Sequence, residues 1–408
     1  MIRALCLLLV LGALGYHLER EQSAGRFQQA DDAFLDFLLA NSRDRFSNSE
    51  GKVSDKVVFV RFREEDQNEY ATWPPAPIDW QILLKALLPF EPDVLVIPTV
   101  LDWGVPPPEF VPQVGEALLP FPSVVLGVEG REVSAQETSA TDAAVNDSFP
   151  TLTRFSGDPI TSPVQRVVSA PADSIRRQME LGMVPGPLGI QAASTPFVLK
   201  MHDKTIPSLA MQALTRHTRT PYSLQRVRLG DGAGAHLGKG RYLPLTPDGS
   251  FALQSKSSVA SINALDLMTG ELADALSAED RAELGRGKIV VLGIDTDQPQ
   301  PTVARIQAQV LGEALALPTL VTLGEIARWS VAGAAALVGL FLLRFRGGKA
   351  LRTGLLLIFA ALVISFVLFQ SQLIWFPPTV PGALLAASAL FSMLFGRRPL
   401  NVQTADAP

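Results

Sequence analysis

Near its carboxyl end the chain holds three stretches, Trp329 to Leu343, Gly354 to Phe369 and Pro378 to Phe395, that contain no charged residue. These runs constrain the fold more than any other feature, because a helix apolar all round needs either a deep core or a bilayer around it. Each is slightly short of the roughly 20 residues a span wants, but flanking Trp, Thr and Arg can extend into the interface. The charge between them alternates. Arg344, Arg346, Lys349 and Arg352 separate the first two runs, QSQLIWFPP separates the last two without any charge, and Arg397 and Arg398 follow the third. By the positive-inside rule both basic clusters face the cytoplasm and QSQLIWFPP faces out. Three spans are expected, at about 329–345, 352–370 and 378–396, with a short cytoplasmic tail at 397–408 and no output domain after it.

The amino end, MIRALCLLLVLGALGYHLER, pairs Arg3 with an apolar run from Ala4 to Tyr16. That length suits a short membrane anchor at 1–16, or a signal-peptide core with Ala13-Leu14-Gly15 as a cleavage site. Both readings put residues 17–325 outside the cytoplasm, with the protein in the inner membrane. The net charge of −5, without a long basic run, argues against nucleic acid as a partner. A single cysteine, Cys6, excludes an intrachain disulfide and a cysteine-based metal site.

Between the membrane ends the pattern alternates between helix and strand. DDAFLDFLLANSRDRF (Asp31 to Phe46) reads as a helix, KVVFVRF (Lys56 to Phe62) as a strand and IDWQILLKALLPF (Ile78 to Phe90) as a helix. DVLVI (Asp93 to Ile97) is a wholly apolar strand, EFVPQVGEALL a helix and SVVLGV (Ser123 to Val128) a strand. This order predicts an α/β fold with a mixed or mostly parallel sheet and flanking helices. Residues 129–163, rich in Ser, Thr, Ala, Asp and Pro, read as an exposed mobile loop. FVLKM is a strand, and Pro207 is placed to open a helix over PSLAMQALTRH. GKIVVLGID (Gly287 to Asp295) is a buried strand, and VARIQAQVLGEALAL is a helix leading toward the membrane.

Little in this region carries recognisable chemistry. RLGDGAGAHLGKG departs from a phosphate loop at Ala233 and Gly240, and so predicts a glycine-rich hairpin. His17, His202, His217 and His236 form no i, i+4 pair, so no metal or cofactor is expected. Nor does any serine stand in a nucleophile elbow, and the chain reads as non-enzymatic. The weak ligand-binding candidates are two groups. Trp73, Asp79, Asp102 and Trp103 set aromatics beside carboxylates around the first βαβ unit, suiting a cationic or sugar-like ligand. Asp295 and Asp297 follow a buried strand, at the end where open α/β sheets bind ligands.

Several strings resemble the CHASE type-2 sensory domain family (cyclase/histidine-kinase-associated sensing extracellular). They are RDRF, DKVVFVRF, WPPAPIDWQILLKALLPFEPDVLVI, TPFVLKMHDKTIPSLAMQAL, GRGKIVVLGID and RIQAQVLGEAL. The resemblance implies an extracytoplasmic α/β sensor at 17–325 with three membrane helices behind it. It departs where the family carries an Asp after the apolar strand, because Pro98 stands there and Asp102 follows four residues later. The expected function is sensory or ligand-binding, with an unknown extracytoplasmic ligand and signalling through the spans to a separate partner or a second copy. Small residues that would serve such contacts are Ala332, Gly333, Ala335, Ala336 and Gly339, and Gly382, Ala383, Ala386, Ala387 and Ser388. The alternatives are an envelope assembly subunit with a degenerate sensor site, which Pro98 favours, and a membrane-tethered exported enzyme.

Overall fold

The computed structural model describes residues 2–24, 26–47, 51–104, 109–132, 145, 148–157, 165–185, 194–201, 204–238, 240–254, 258–296, 298, 301–345 and 347–395. They form two compact units, residues 46–318 and residues 1–45 with 319–408.

The 46–318 unit is built on a seven-stranded sheet. Its strands are β1 (Val57–Arg63), β2 (Val94–Ile97), β3 (Val124–Glu132), β4 (Gln165–Ser169), β5 (Glu180–Pro185), β6 (Ala260–Asn263) and β7 (Ile289–Asp295). The order is β6-β1-β7-β2-β3, with β5 parallel to β3 and β4 antiparallel to its carboxyl half. The predicted mixed, mostly parallel sheet is therefore present. The runs VVFV, VLVI and IVVL are buried on both faces, as strands covered by helices on both sides must be. Side chains alternate across the sheet. Val58, Val60 and Phe62 join the core beneath the helices Pro77–Leu87 and Val111–Leu118. Val57 and Phe59 join the opposite core, beneath the helices Leu209–Thr218 and Val303–Ala316. Connections running from β6 toward β3 keep their helices on the first face, and the return from β5 to β6 uses the second. Reversing direction and face together is what a single crossover hand requires.

Two local expectations change. Pro207 ends the strand Lys204–Pro207, and Ser208 opens the following helix by accepting the Met211 N–H at 3.4 Å. The hydroxyl can satisfy an orphan amide of the first turn, which a proline ring cannot. Residues 129–163 are not simply an exposed loop. β3 runs on to Glu132, and Val145, Phe149 and Leu152 are buried, so a few large apolar residues suffice to tuck in a polar segment. Residues 133–144, 146–147 and 158–164 lie outside the described residues. The glycine-rich string forms the expected hairpin, Arg226–Arg228 against Gly234–His236. A Cβ on Gly234 would stand 2.3 Å from Tyr242 Oη, so this glycine serves packing.

The second unit is helical: Ile2–Ser23, Gln28–Asn41, Glu325–Phe341, Gly348–Gln372 and Thr379–Phe395. Glu325–Arg344 and Gly348–Gln372 are long and apolar enough to cross a membrane, and Thr379–Phe395 is a shorter apolar helix. Leu7, Leu11, Ala332, Ala335, Val380 and Leu384 make the shared core. The helices approach closely where small residues meet. A Cβ on Gly339 would stand 2.2 Å from Ser388 Oγ, and one on Gly354 would stand 2.4 Å from Ala389 Cβ. Gly333 points away from these contacts, with nothing within 4 Å of its Cβ position.

One end of this unit is polar and aromatic. Asp31 is buried and accepts from Gln22 Nε2 at 2.8 Å and from Thr379 Oγ1 at 2.5 Å. Glu19, also buried, lies 3.4 Å from Arg328 Nη1. Tyr16 stacks with Trp329, and Phe34 packs on Trp375. Arg344, Lys349 and Arg352 sit at the opposite end, in and after the turn that joins two helices. Arg346, Arg397 and Arg398 lie outside the described residues.

Candidate functional site

Asp295 ends the central strand β7, where residues 61, 63, 293 and 295 share a face through the β1–β7 register. Its carboxylate is only 3% exposed, which demands partners. Oδ2 receives Arg61 Nη1 at 3.1 Å and Arg305 Nη2 at 2.5 Å, while Oδ1 accepts from Thr302 Oγ1 at 3.3 Å. Thr302 also caps the Val303–Ala316 helix. The helix comes near enough because β7 carries Gly293, whose added Cβ would stand 2.4 Å from Ala304 Cβ. This is a clamp joining β1, β7 and a helix by one carboxylate. Arg61 was legible as an interruption in VVFVRF, but nothing in the sequence named its partner. Asp297 lies outside the described residues.

The other four sequence candidates occupy the carboxyl side of β1 and β2. Asp79 is held by the backbone. Its carboxylate accepts the N–H groups of Ala76 at 3.0 Å and Ala71 at 3.2 Å, so it orders the entry to the Pro77–Leu87 helix. Trp73 stacks on Tyr70, 6.0 Å between centroids, and Tyr70 packs against Phe62. Burial, with Asp66 nearby, pushes the Tyr70 hydroxyl up to about 12. Trp103 donates to the Pro75 carbonyl at 3.4 Å, and Asp102 accepts the Gly104 N–H at 3.0 Å. Pro98, where the resembled family carries an acid, packs its carbonyl over Gly127, 2.3 Å from a Cβ position there. Among the described residues no three His, Cys, Asp or Glu side chains are gathered to hold a metal.

A cavity of about 690 Å³ opens at the other, amino edge of the sheet, below the starts of β2, β3 and β5. Leu118, Phe121, Val124 and Met179 form its apolar wall. Asp93 stands at its rim, with Oδ2 3.0 Å from His217 Nδ1 and Oδ1 3.1 Å from Arg219 Nη2. Arg216 pairs with Glu180 and lies over the Tyr222 ring at 5.9 Å. Tyr222 Oη is buried with no hydrogen-bond partner among the described residues, and burial, then Glu180, raises its pKa. Arg219 caps the Leu209–Thr218 helix at φ 51°, a left-handed conformation uncommon for a residue with a side chain. None of these residues stands out by spacing, since they come from four separate stretches of chain.

Burial depresses the His217 pKa more than Asp93 raises it. The native state therefore resists protonation of a group that the unfolded chain protonates near pH 6.5. His217 thus contributes stability above that pH that is lost as pH falls through 6.5 toward the depressed native value. Thermal unfolding of the 46–318 unit should show a Tm that declines across this window in the parent and is flatter in His217→Gln. Parallel curves for the two would remove His217 as the cause.

Comparison with protein-family models, with characterised proteins and with solved structures finds no match for this chain.

Proposed function

We propose that this chain is a membrane-anchored sensory protein, similar to the CHASE type-2 group, whose 46–318 unit binds a ligand outside the cytoplasm and whose helices pass the event to a membrane partner. The observation that carries the membrane part is what the helical unit leaves uncovered. Leu337, Leu355, Leu356, Phe359, Ile364, Leu390 and Leu394 are all more than half exposed. Only 22% and 11% of the most apolar windows of the two long helices are buried. A helix of a soluble core hides such side chains, whereas a lipid-facing helix presents them.

The ends of the unit support an orientation. Arg344, Lys349 and Arg352 suit the cytoplasmic side, and the Tyr16, Trp329, Phe34 and Trp375 end suits an aromatic belt at the outer interface. Residues 45 and 319, through which the chain leaves and re-enters this unit, belong to that outer end: Arg45 Nη2 donates to the Ser371 carbonyl at 3.0 Å, and Val321 pairs with Ile374. The 46–318 unit then faces out. A second reading, an envelope assembly subunit, is favoured by Pro98, whose backbone serves the packing of Gly127.

Single cysteines introduced at Ser371 and Thr353, with Cys6 replaced by Ser, test the arrangement. An impermeant thiol reagent on intact cells should label position 371 and spare 353. The reverse pattern would invert the protein and remove the sensory reading.

A further inference from the structure

We propose that the amino-edge cavity of the 46–318 unit binds a small zwitterion with an apolar side group, of the free amino acid type. The assignment deepens the sensory reading above and rests on it for its biological meaning, although the binding itself is independent of topology. Three features of the cavity converge on this chemistry.

The first is its charge pattern. Arg219 lies against Asp93, and Arg216 against Glu180, so two plus–minus pairs line one space. Arg216 already gives Nε and Nη2 to the two Glu180 oxygens, which leaves Arg219 as the open guanidinium. Arg219 is 78% exposed and gives Asp93 one of its five N–H donors at 3.1 Å. A ligand carboxylate can take its remaining donors in a bidentate pair. An ammonium group in the same ligand meets Asp93 and Glu180. It also meets two helix carboxyl ends, those of Val111–Leu118 and Leu209–Thr218, whose last turns supply Leu118, Thr215 and Arg216 to the lining. The helix dipole makes such ends favourable to cations. A ligand carrying only one charge would leave half of this arrangement unmatched.

The second is Tyr222. Its ring lines the cavity beneath the Arg216 guanidinium, 5.9 Å from the ring centroid, and gives a ligand side group an aromatic neighbour. The third is the wall of Leu118, Phe121, Val124 and Met179, which takes an aliphatic or aromatic side group. The volume of about 690 Å³ lies within the range of small-molecule sites.

The backbone supplies a clean test. Arg219 holds φ 51°, which glycine adopts without strain, so Arg219→Gly removes the guanidinium while keeping the helix cap. The full chain in lipid nanodiscs is titrated with L-leucine and L-phenylalanine, and with 4-methylpentanoate and 3-methylbutylamine, which each lack one charge of leucine. Saturable binding of the amino acids is expected, read by calorimetry and by a rise in the unfolding temperature of the 46–318 unit. Each singly charged analogue should bind at least about tenfold more weakly, the effect of losing a charge-assisted pair. Arg219→Gly should weaken leucine about tenfold without weakening 3-methylbutylamine, whose ammonium gains a less neutralised Asp93.

Millimolar leucine and phenylalanine without saturable binding would overturn the proposal, as would analogues that bind as well as leucine. An Arg219→Gly protein that binds leucine like the parent would overturn it too. Loss of binding together with outward labelling of position 371 would remove the ligand class alone. Binding together with inverted labelling would remove the sensory reading alone.

Discussion

Replacing Trp80 with alanine is expected to destabilise the 46–318 unit by about 4 kcal/mol, as for other large aromatic truncations in a core. Trp80 is 1% exposed, and its ring sits 5.0 Å from that of Phe62 on β1. It belongs to the Pro77–Leu87 helix, whose Leu83, Leu84 and Leu87 are equally hidden. The void left by the indole would lie between this helix and a central strand held on both edges by β6 and β7. A strand so held cannot move inward to close the gap, which keeps the cost off the bottom of the usual range. At roughly 2–4 °C per kcal/mol for a domain near this size, the unfolding temperature should fall by about 10 °C. Thermal unfolding of the full chain in micelles, followed by proteolysis within 46–318, reads this unit apart from the helical one. A drop of under about 2 °C would mean that the helix does not pack there.

Asp295→Ala is expected to cost about 3 kcal/mol, because the carboxylate serves two guanidiniums and a hydroxyl at once. The value sits at the low end for a buried pair. Arg61 and Arg305 are 31% and 45% exposed and can turn partly to water once their partner is gone. Arg305→Ala alone should cost less, since Arg61 still neutralises the acid. The two single variants and the double variant form a cycle, and a coupling energy above about 1 kcal/mol is expected. Purely additive effects would mean that the three groups do not act as one clamp. Loss of the clamp should also loosen the start of the Val303–Ala316 helix, seen as faster amide exchange at Arg305 and Ile306 than at Val310.

Much of the local structure was legible because burial leaves a periodic mark on a short stretch of chain. VVFV, VLVI and IVVL read as strands, since each is a short apolar run of strand length. The Pro77–Leu87 helix showed its apolar stripe, and the glycine-rich string near Gly234 declared a hairpin. β6, with the sequence ASIN, was missed. It is an edge strand with two exposed residues, and so it has no apolar run to show. The buried residues between 145 and 152 were missed because their few large side chains are diluted by polar neighbours.

What the sequence by itself determined, then, was the kind of each strongly apolar element, the α/β alternation, and the three apolar runs with their uneven flanking charge. Only the tertiary structure decided that β7, near the end of the 46–318 unit, enters the sheet between β1 and β2. Strand order depends on how every crossover shares the two faces, and no local pattern records that choice. The same holds for the sites. Arg61 and Asp295 meet across 234 positions of sequence, and the amino-edge cavity gathers residues 93, 118, 119, 121–124, 178–180, 215, 216 and 219–222. A charged side chain announces in the sequence that it needs a partner. Which partner it finds is settled by the packing of helices on a shared sheet.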